Sequence, residues 1–290
     1  MITLVHNYTS NVSTEALYFQ KCISEAGGTA HLWADPSVST FDIFDSVKPD
    51  VFISHFSKFT MDMLKYLSNN KNISIILNVA GATNEHIQSI EQAFDSNNVS
   101  CPFLFTNTHE VITKVQTKRE LKYILPSVDV FLPKLTPPLF HADACYIATE
   151  KSDLLSQSVQ EDNKESYHLI SLANAESFDI RLNITDMVSF FDRYEVCNLV
   201  GNIDFVMSQL FYEASLRSKG IALRVNDQDR DKINNLFKLL FIEQEGEDIG
   251  NVVRKQIKTK HNCFNRTSEL VRYLKNEELS NKINKIGNSL

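Results

Sequence analysis

The feature that most restricts this chain is an alternation, repeated along most of its length, of short apolar runs rich in β-branched and aromatic residues with longer segments of helical period. Buried parallel strands read as such runs. A parallel strand pair cannot be closed by a tight turn and needs a crossover, normally a helix. The first half holds six runs, at 2–5, 30–33, 51–54, 73–79, 103–105 and 128–132. A helix is predicted over 14–26, closed by Gly27-Gly28 where a left-handed cap belongs. The turn Lys48-Pro49-Asp50 leads into the third run.

Pro133, Pro137 and Pro138 interrupt the pattern, and 133–142 reads as a linker. A second series follows, at 145–148, 168–172, 180–184, 196–200 and 221–225. From Asp227 onward the chain is helical and polar, with Leu236, Phe237, Leu239 and Leu240 as an apolar stripe. The expected architecture is α/β: a Rossmann-like domain over 1–138, a second over 139–290, and a helical C-terminal tail on the second. In such sheets ligands sit at the carboxyl ends of the strands, where the strand order reverses.

A formal net charge of −7 argues against a whole-protein grip on nucleic acid, although a local basic cleft is compatible with it. Cys22, Cys101, Cys145, Cys197 and Cys263 are scattered without a CxxC pair, which points to a reducing compartment and against a disulfide framework or zinc site. The first residues enter a strand directly, with no signal-peptide pattern, and no run reaches the ~18 apolar residues of a membrane span. A cytoplasmic protein is expected. HExxH, GxSxG, GxxxxGK[ST] and an aspartate run suited to Mg²⁺ are all missing, and the eight histidines have no ligand spacing, so no metal is expected.

The most informative stretch runs from Val200 to Arg217. A strand ends at Gly201, Asp204 is a candidate cap of a new helix, and the first N–H groups of that helix suit a phosphate. Asn202, Ser208 and Gln209 share that turn region, and Glu213 follows further along the helix. A cap and a solvated helix charge are the plain alternatives for Asp204 and Glu213.

Glu213-Ala214 on a helix, then Lys219-Gly220, then a strand at 221–225, resembles the second domain of GT-B glycosyltransferases. The run His261-Asn262-Cys263-Phe264-Asn265-Arg266 before a helix is similar to the terminal region of CgeB-like and phage members. The resemblance spans most of the chain. It implies a nucleotide-sugar donor, UDP-linked, bound by the second domain with Glu213 on the ribose. It also implies no cofactor beyond that donor, and an acceptor hydroxyl held by the first domain. A second Glu about eight residues before Glu213, as retaining members carry, is missing, so retention or inversion stays open.

Lys151, after the first strand of the second series, and Arg224, at the end of its last, are the candidates to neutralise a diphosphate leaving group without a metal. For a base that deprotonates the acceptor, the candidates are His55 and Asp35. His6, Asn7, Lys58, Asn78 and the turn Ala80-Gly81-Ala82-Thr83 also follow strands of the first half. The acceptor classes are a hydroxymethylated pyrimidine in phage DNA, a glycan, or a protein. For DNA, the basic stretch Lys114, Lys118, Arg119 and Lys122 is the candidate contact, a solvated helix face the alternative. A two-lobed binding protein without catalysis and a sugar-nucleotide epimerase remain as competing functions.

Overall fold

The structure is a computed structural model that describes residues 2–7, 14–33, 35, 37–126, 128–129, 142–171, 180–181, 190–218, 220–240 and 249–289. The chain divides into two compact units, Met1–Leu125 with Cys263–Leu290, and Pro126–Asn262.

Unit 1 holds strands β1 (Thr3–Asn7), β2 (Thr29–Trp33), β3 (Val51–His55), β4 (Ser74–Asn78), β5 (Leu104–Thr106) and β6 (Leu121–Tyr123). Its helices are α1 (Thr14–Glu25), α2 (Thr40–Val47), α3 (Met61–Asn69), α4 (Asn84–Asn97) and α5 (His109–Lys114). The sheet order is β2-β1-β3-β4-β5-β6 and every described pairing is parallel. Val5, Phe52, Ile75, Leu77 and Leu104 line the face covered by Phe44, Leu64, Leu67, Ile87 and Phe94 of α2, α3 and α4. Helix ends are set locally. Ser39, Thr60 and Thr83 accept hydrogen bonds from backbone N–H groups in the first turns of α2, α3 and α4. Gly27 (φ +83°) closes α1 while the Gly28 N–H donates to Ile23 O at 2.9 Å, the cap expected for this glycine pair. Asp50 accepts from the Thr3 N–H at 2.8 Å, which ties the turn before β3 to the start of β1.

Unit 2 holds β7 (Ala142–Ala148), α6 (Asp153–Asp162), β8 (Tyr167–Ser171), β9 (Ile180–Arg181), β10 (Tyr194–Val200), α7 (Ile203–Val206), α8 (Gln209–Arg217), β11 (Gly220–Arg224), α9 (Asp227–Leu240) and α10 (Ile249–Lys260). The order is β11-β10-β7-β8-β9, again parallel. One face packs Cys145, Ile147, Cys197 and Leu199 against Val206, Leu210, Phe211 and Ala214 of α7 and α8. The other packs Ala144, Tyr146, Ala148 and Val200 against Leu155 of α6. The two units are therefore Rossmann-like.

Two expectations change. The sixth strand of unit 1 is Leu121–Tyr123, paired with β5, whereas Val128 makes an isolated parallel bridge to Asn262 in unit 2 and 130–132 lie outside the described residues. Leu121-Lys122-Tyr123 is a short, half-buried edge strand, and with so little apolar burial it lacks the continuous apolar signature of a central one. The last helices, α11 (Cys263–Tyr273) and α12 (Glu277–Ser289), belong to unit 1, not to the second half of the chain. There α11 packs on α1 and α12, with Phe264, Leu270 and Val271 buried. The run His261 to Arg266 is where the chain leaves unit 2. The proline segment 133–141 lies outside the described residues, and Ala142 already begins β7.

All five cysteines are free and buried. Burial pushes the Cys101 thiol up to about 12. It also raises Cys145, whose strand neighbour is Cys197. No helix among the described residues is long and apolar enough to cross a membrane.

Candidate functional site

In unit 2 the strand order reverses between β7 and β10. The turn leaving β7 carries exposed Lys151, and Ser152 caps α6 by accepting from the Leu155 N–H at 3.2 Å. The turn leaving β10 is Gly201-Asn202. The Gly201 N–H donates to Arg224 O at 3.0 Å, and a Cβ at Gly201 would stand 2.8 Å from the Phe205 ring, so the turn is closed by contact. Asn202, not Asp204, is the cap: its side chain accepts from the Phe205 N–H at 2.9 Å, and Asp204 is the second residue of α7. That helix has four residues, after which Ser208 caps α8 by accepting from the Leu210 N–H at 3.4 Å. The single helix read from sequence is two helices, because Ser208 supplies a second cap.

Glu213 does not face an open crevice. Its side chain is 0% exposed, its Oε2 stands 3.5 Å from Arg217 Nε, and its Oε1 accepts from Gln209 Nε2 at 3.2 Å. Arg217 Nη1 also meets Asp192 Oδ2 at 3.1 Å, with Arg217 and Asp192 equally buried. The Glu-Ala pair that carried the resemblance therefore sits within a buried ionic cluster. Asp192 and Arg217 were not singled out from sequence. The i,i+4 spacing of Glu213 and Arg217 was the available signal.

Arg224 ends β11 and pairs with Asp162, which also accepts from the Tyr146 hydroxyl at 2.9 Å. Glu161 Oε2 lies 3.9 Å from Arg224 Nη1. Its charge is thus already met by carboxylates of α6. Beside it lies a cavity of about 580 Å³ between α6, the end of β11 and α9, with Leu154, Leu223 and Ile233 among its lining residues. Asn202, Ser208, Gln209 and Glu213 do not line this cavity.

In unit 1 the reversal lies between β1 and β3. His6, near the end of β1, is buried beside Phe19 and held down to about 4 by desolvation, while Asn7 is half-buried. His55 ends β3. Its Nε2 lies 3.1 Å from Ala80 O, which only accepts, so the proton is on Nε2, and Nδ1 accepts from the Ser57 N–H at 3.3 Å. Burial lowers its pKa, so the ring is neutral near pH 7, with its one basic lone pair turned to Ser57. Phe56 follows, flanked by the His55 and His86 rings at 4.8 and 5.2 Å. Exposed Lys58 closes the short turn after Phe56. Asn78 Oδ1 accepts from the Ala80 N–H at 2.9 Å and shapes the turn through Gly81 (φ +77°).

Asp35 is exposed, and its Oδ1 accepts from the Ser37 hydroxyl at 2.7 Å and the Ser37 N–H at 2.9 Å. These bonds lower its pKa below the ordinary carboxylate value, the wrong direction for a base working near neutrality. It is a turn-forming carboxylate.

The basic stretch is not one helix face. Lys114 ends α5, Lys118 and Arg119 are in the following loop, and Lys122 is in β6. Lys114 pairs with Glu110, Arg119 with Asp95 at 2.5 Å, and Lys122 with Glu120 while lying 4.4 Å over the Tyr273 ring. Buried Glu91 accepts from Thr117 Oγ1 and from the N–H groups of Lys118 (2.8 Å) and Arg119 (3.2 Å). Three of the four cations are thus paired with carboxylates, whereas Glu91 meets only the backbone N–H of Lys118 and not its ammonium.

No protein-family model and no curated protein sequence matches this chain. Among solved structures, a DNA-modifying β-glucosyltransferase studied with and without uridine diphosphoglucose is similar at 11% identity, covering 99% of this chain and 100% of its own, with TM-score 0.49. A calicheamicin glycosyltransferase is similar at 10% identity, covering 95% and 99%, with TM-score 0.42. A UDP-GlcNAc 2-epimerase from Neisseria meningitidis is similar at 10% identity, covering 94% and 99%, with TM-score 0.44. At this distance each name describes that protein alone. What is established for this chain rests on its own strand orders: it is an α/β protein of two Rossmann-like units.

Proposed function

We propose that this chain is a glycosyltransferase that moves a sugar from a UDP-linked donor on unit 2 to an acceptor hydroxyl on unit 1, without a metal and in a reducing, cytoplasmic compartment. The observation that carries this reading is the reversal between β7 and β10. There two turns end in side-chain-capped helix starts, with Lys151 exposed on one of them, which suits a diphosphate at the carboxyl edge of a parallel sheet. No two glycines anywhere in the chain are separated by a single residue, so neither sheet carries the GxGxxG turn with which dinucleotide enzymes approach a pyrophosphate. That favours a sugar nucleotide over NAD-type chemistry.

The pairing of Lys114, Arg119 and Lys122 with neighbouring carboxylates favours a glycan or protein acceptor over duplex DNA. Calorimetry with UDP in the presence of a chelator tests the donor half. Binding that Lys151→Ala weakens about tenfold at unchanged melting temperature supports it, and no binding, or binding only with Mg²⁺ or Mn²⁺, sinks it. Product analysis after incubation with UDP-sugars separates transfer or slow hydrolysis, which release UDP, from epimerisation, which returns an isomeric sugar nucleotide.

A further inference from the structure

The turn leaving β3, beside the reversal point of unit 1, joins a hydroxyl, an imidazole and a carbonyl in one chain of hydrogen bonds. Ser57 Oγ lies 2.8 Å from His55 Nδ1, and His55 Nε2 lies 3.1 Å from Ala80 O. The carbonyl only accepts, so the ring proton is on Nε2 and Nδ1 keeps its lone pair, which makes the Ser57 hydroxyl the donor. The Ser57 N–H also donates to Nδ1, at 3.3 Å, as helix capping requires. Capping does not require the hydroxyl, whose contact is the shorter of the two.

A nucleophile, a base and a group that orients the base, in that order, are what activate a serine. Ser57 is exposed at the carboxyl edge of a parallel sheet, where ligands of such sheets sit. Burial lowers the pKa of His55, so the ring is a free base at neutral pH. Exposed Lys58, the next residue, acts electrostatically on the ring and is the positive charge at hand for an oxyanion. Phe56, half-buried and flanked by the His55 and His86 rings, is the apolar surface of the same turn.

We propose that Ser57 and His55 act as nucleophile and general base in the hydrolysis of carboxylic esters with apolar or aromatic acyl groups. Ser57 Oγ bonds to the carbonyl carbon while its proton passes to Nδ1. The ester C–O bond then breaks, and the alcohol leaves with that proton. Water next attacks the acyl-serine, giving a proton to Nδ1, and the carboxylic acid departs as Ser57 Oγ recovers the proton. The activity uses unit 1 residues alone and does not rest on sugar transfer, which UDP calorimetry tests separately.

The full chain is treated with an alkyl fluorophosphonate, which forms a P–O bond to an activated serine with loss of fluoride, and the adduct is mapped by mass spectrometry. The adduct is expected on Ser57, with hydrolysis of p-nitrophenyl butyrate lost in proportion to labelling. His55→Gln keeps a donor for Ala80 O but has no base, and should slow labelling about a hundredfold at unchanged melting temperature. In the parent, the labelling rate should rise with pH and level off with a midpoint below 6.5, the direction in which His55 is shifted. That profile decides the matter if His55→Gln fails to fold. The proposal is overturned by an adduct absent from Ser57, by equal labelling of His55→Gln, or by a parent rate that climbs steadily through the alkaline range as for an unassisted hydroxyl.

Discussion

Glu213 and Arg217 stand one helical turn apart on α8, 3.5 Å between Oε2 and Nε, with 0% and 1% of their side chains exposed. Arg217 also serves Asp192, so it is the hub of the cluster. Removing one member of a buried ion pair leaves the other charged and desolvated, at about 3–5 kcal/mol. Arg217→Met, which strands two carboxylates, should be the most destabilising change. Glu213→Ala should be next. Glu213→Gln keeps volume and an acceptor for Gln209 and should cost roughly 1–3 kcal/mol. Urea midpoints of the three variants check the order, and a Glu213→Ala protein as stable as the parent would show that the cluster is not structural.

His6 makes stability depend on acid. Its folded pKa, about 4, lies below the ordinary 6.5, so between those values the unfolded chain binds more protons than the folded one. The stabilisation is complete above pH 6.5 and is lost as pH falls towards 4, by about 3 kcal/mol for a shift of this size. His6→Phe keeps a ring beside Phe19 and should flatten that part of the acid limb. Denaturant titrations of both proteins at pH 7 and 4.5 measure the difference. Equal losses in the two proteins would refute it.

Glu91 is 4% exposed and its Oε1 gathers the loop at 117–119 onto α4. Glu91→Ala strands those donors and should cost about 2–3 kcal/mol. Hydrogen exchange localises the effect: the Lys118 and Arg119 amides should lose protection before the α4 amides do. Uniform loss across unit 1 would argue for general unfolding instead.

The glycine pair after α1 separates two costs. Gly27 has φ +83° with open space around its missing Cβ, so Gly27→Ala pays only for left-handed backbone, about 1–2 kcal/mol. A Cβ on Gly28 would stand 2.7 Å from Ile23 Cγ2 and 3.2 Å from Ile23 O, so Gly28→Ala adds a clash with packed side chain and backbone. Thermal melts should rank Gly28→Ala below Gly27→Ala, and the reverse ranking would contradict the packing described.

The sequence by itself determined what depends on local pattern. Five of the six strands predicted for the first half and all five of the second series appear in place, because parallel strands under crossover helices read as short apolar runs. The α1 cap at Gly27 was legible because few residues tolerate its φ. Tertiary structure decided the rest. Nothing local says that α11 and α12 pack on α1, since an amphipathic face does not name its partner. Nor does spacing say whether a helical Glu meets a ligand or an arginine. Glu213 went to Arg217 one turn on, Arg217 also to Asp192, and Arg224 to Asp162, because a charge taken out of water needs a partner there, and for the two arginines residues distant in the chain supplied it.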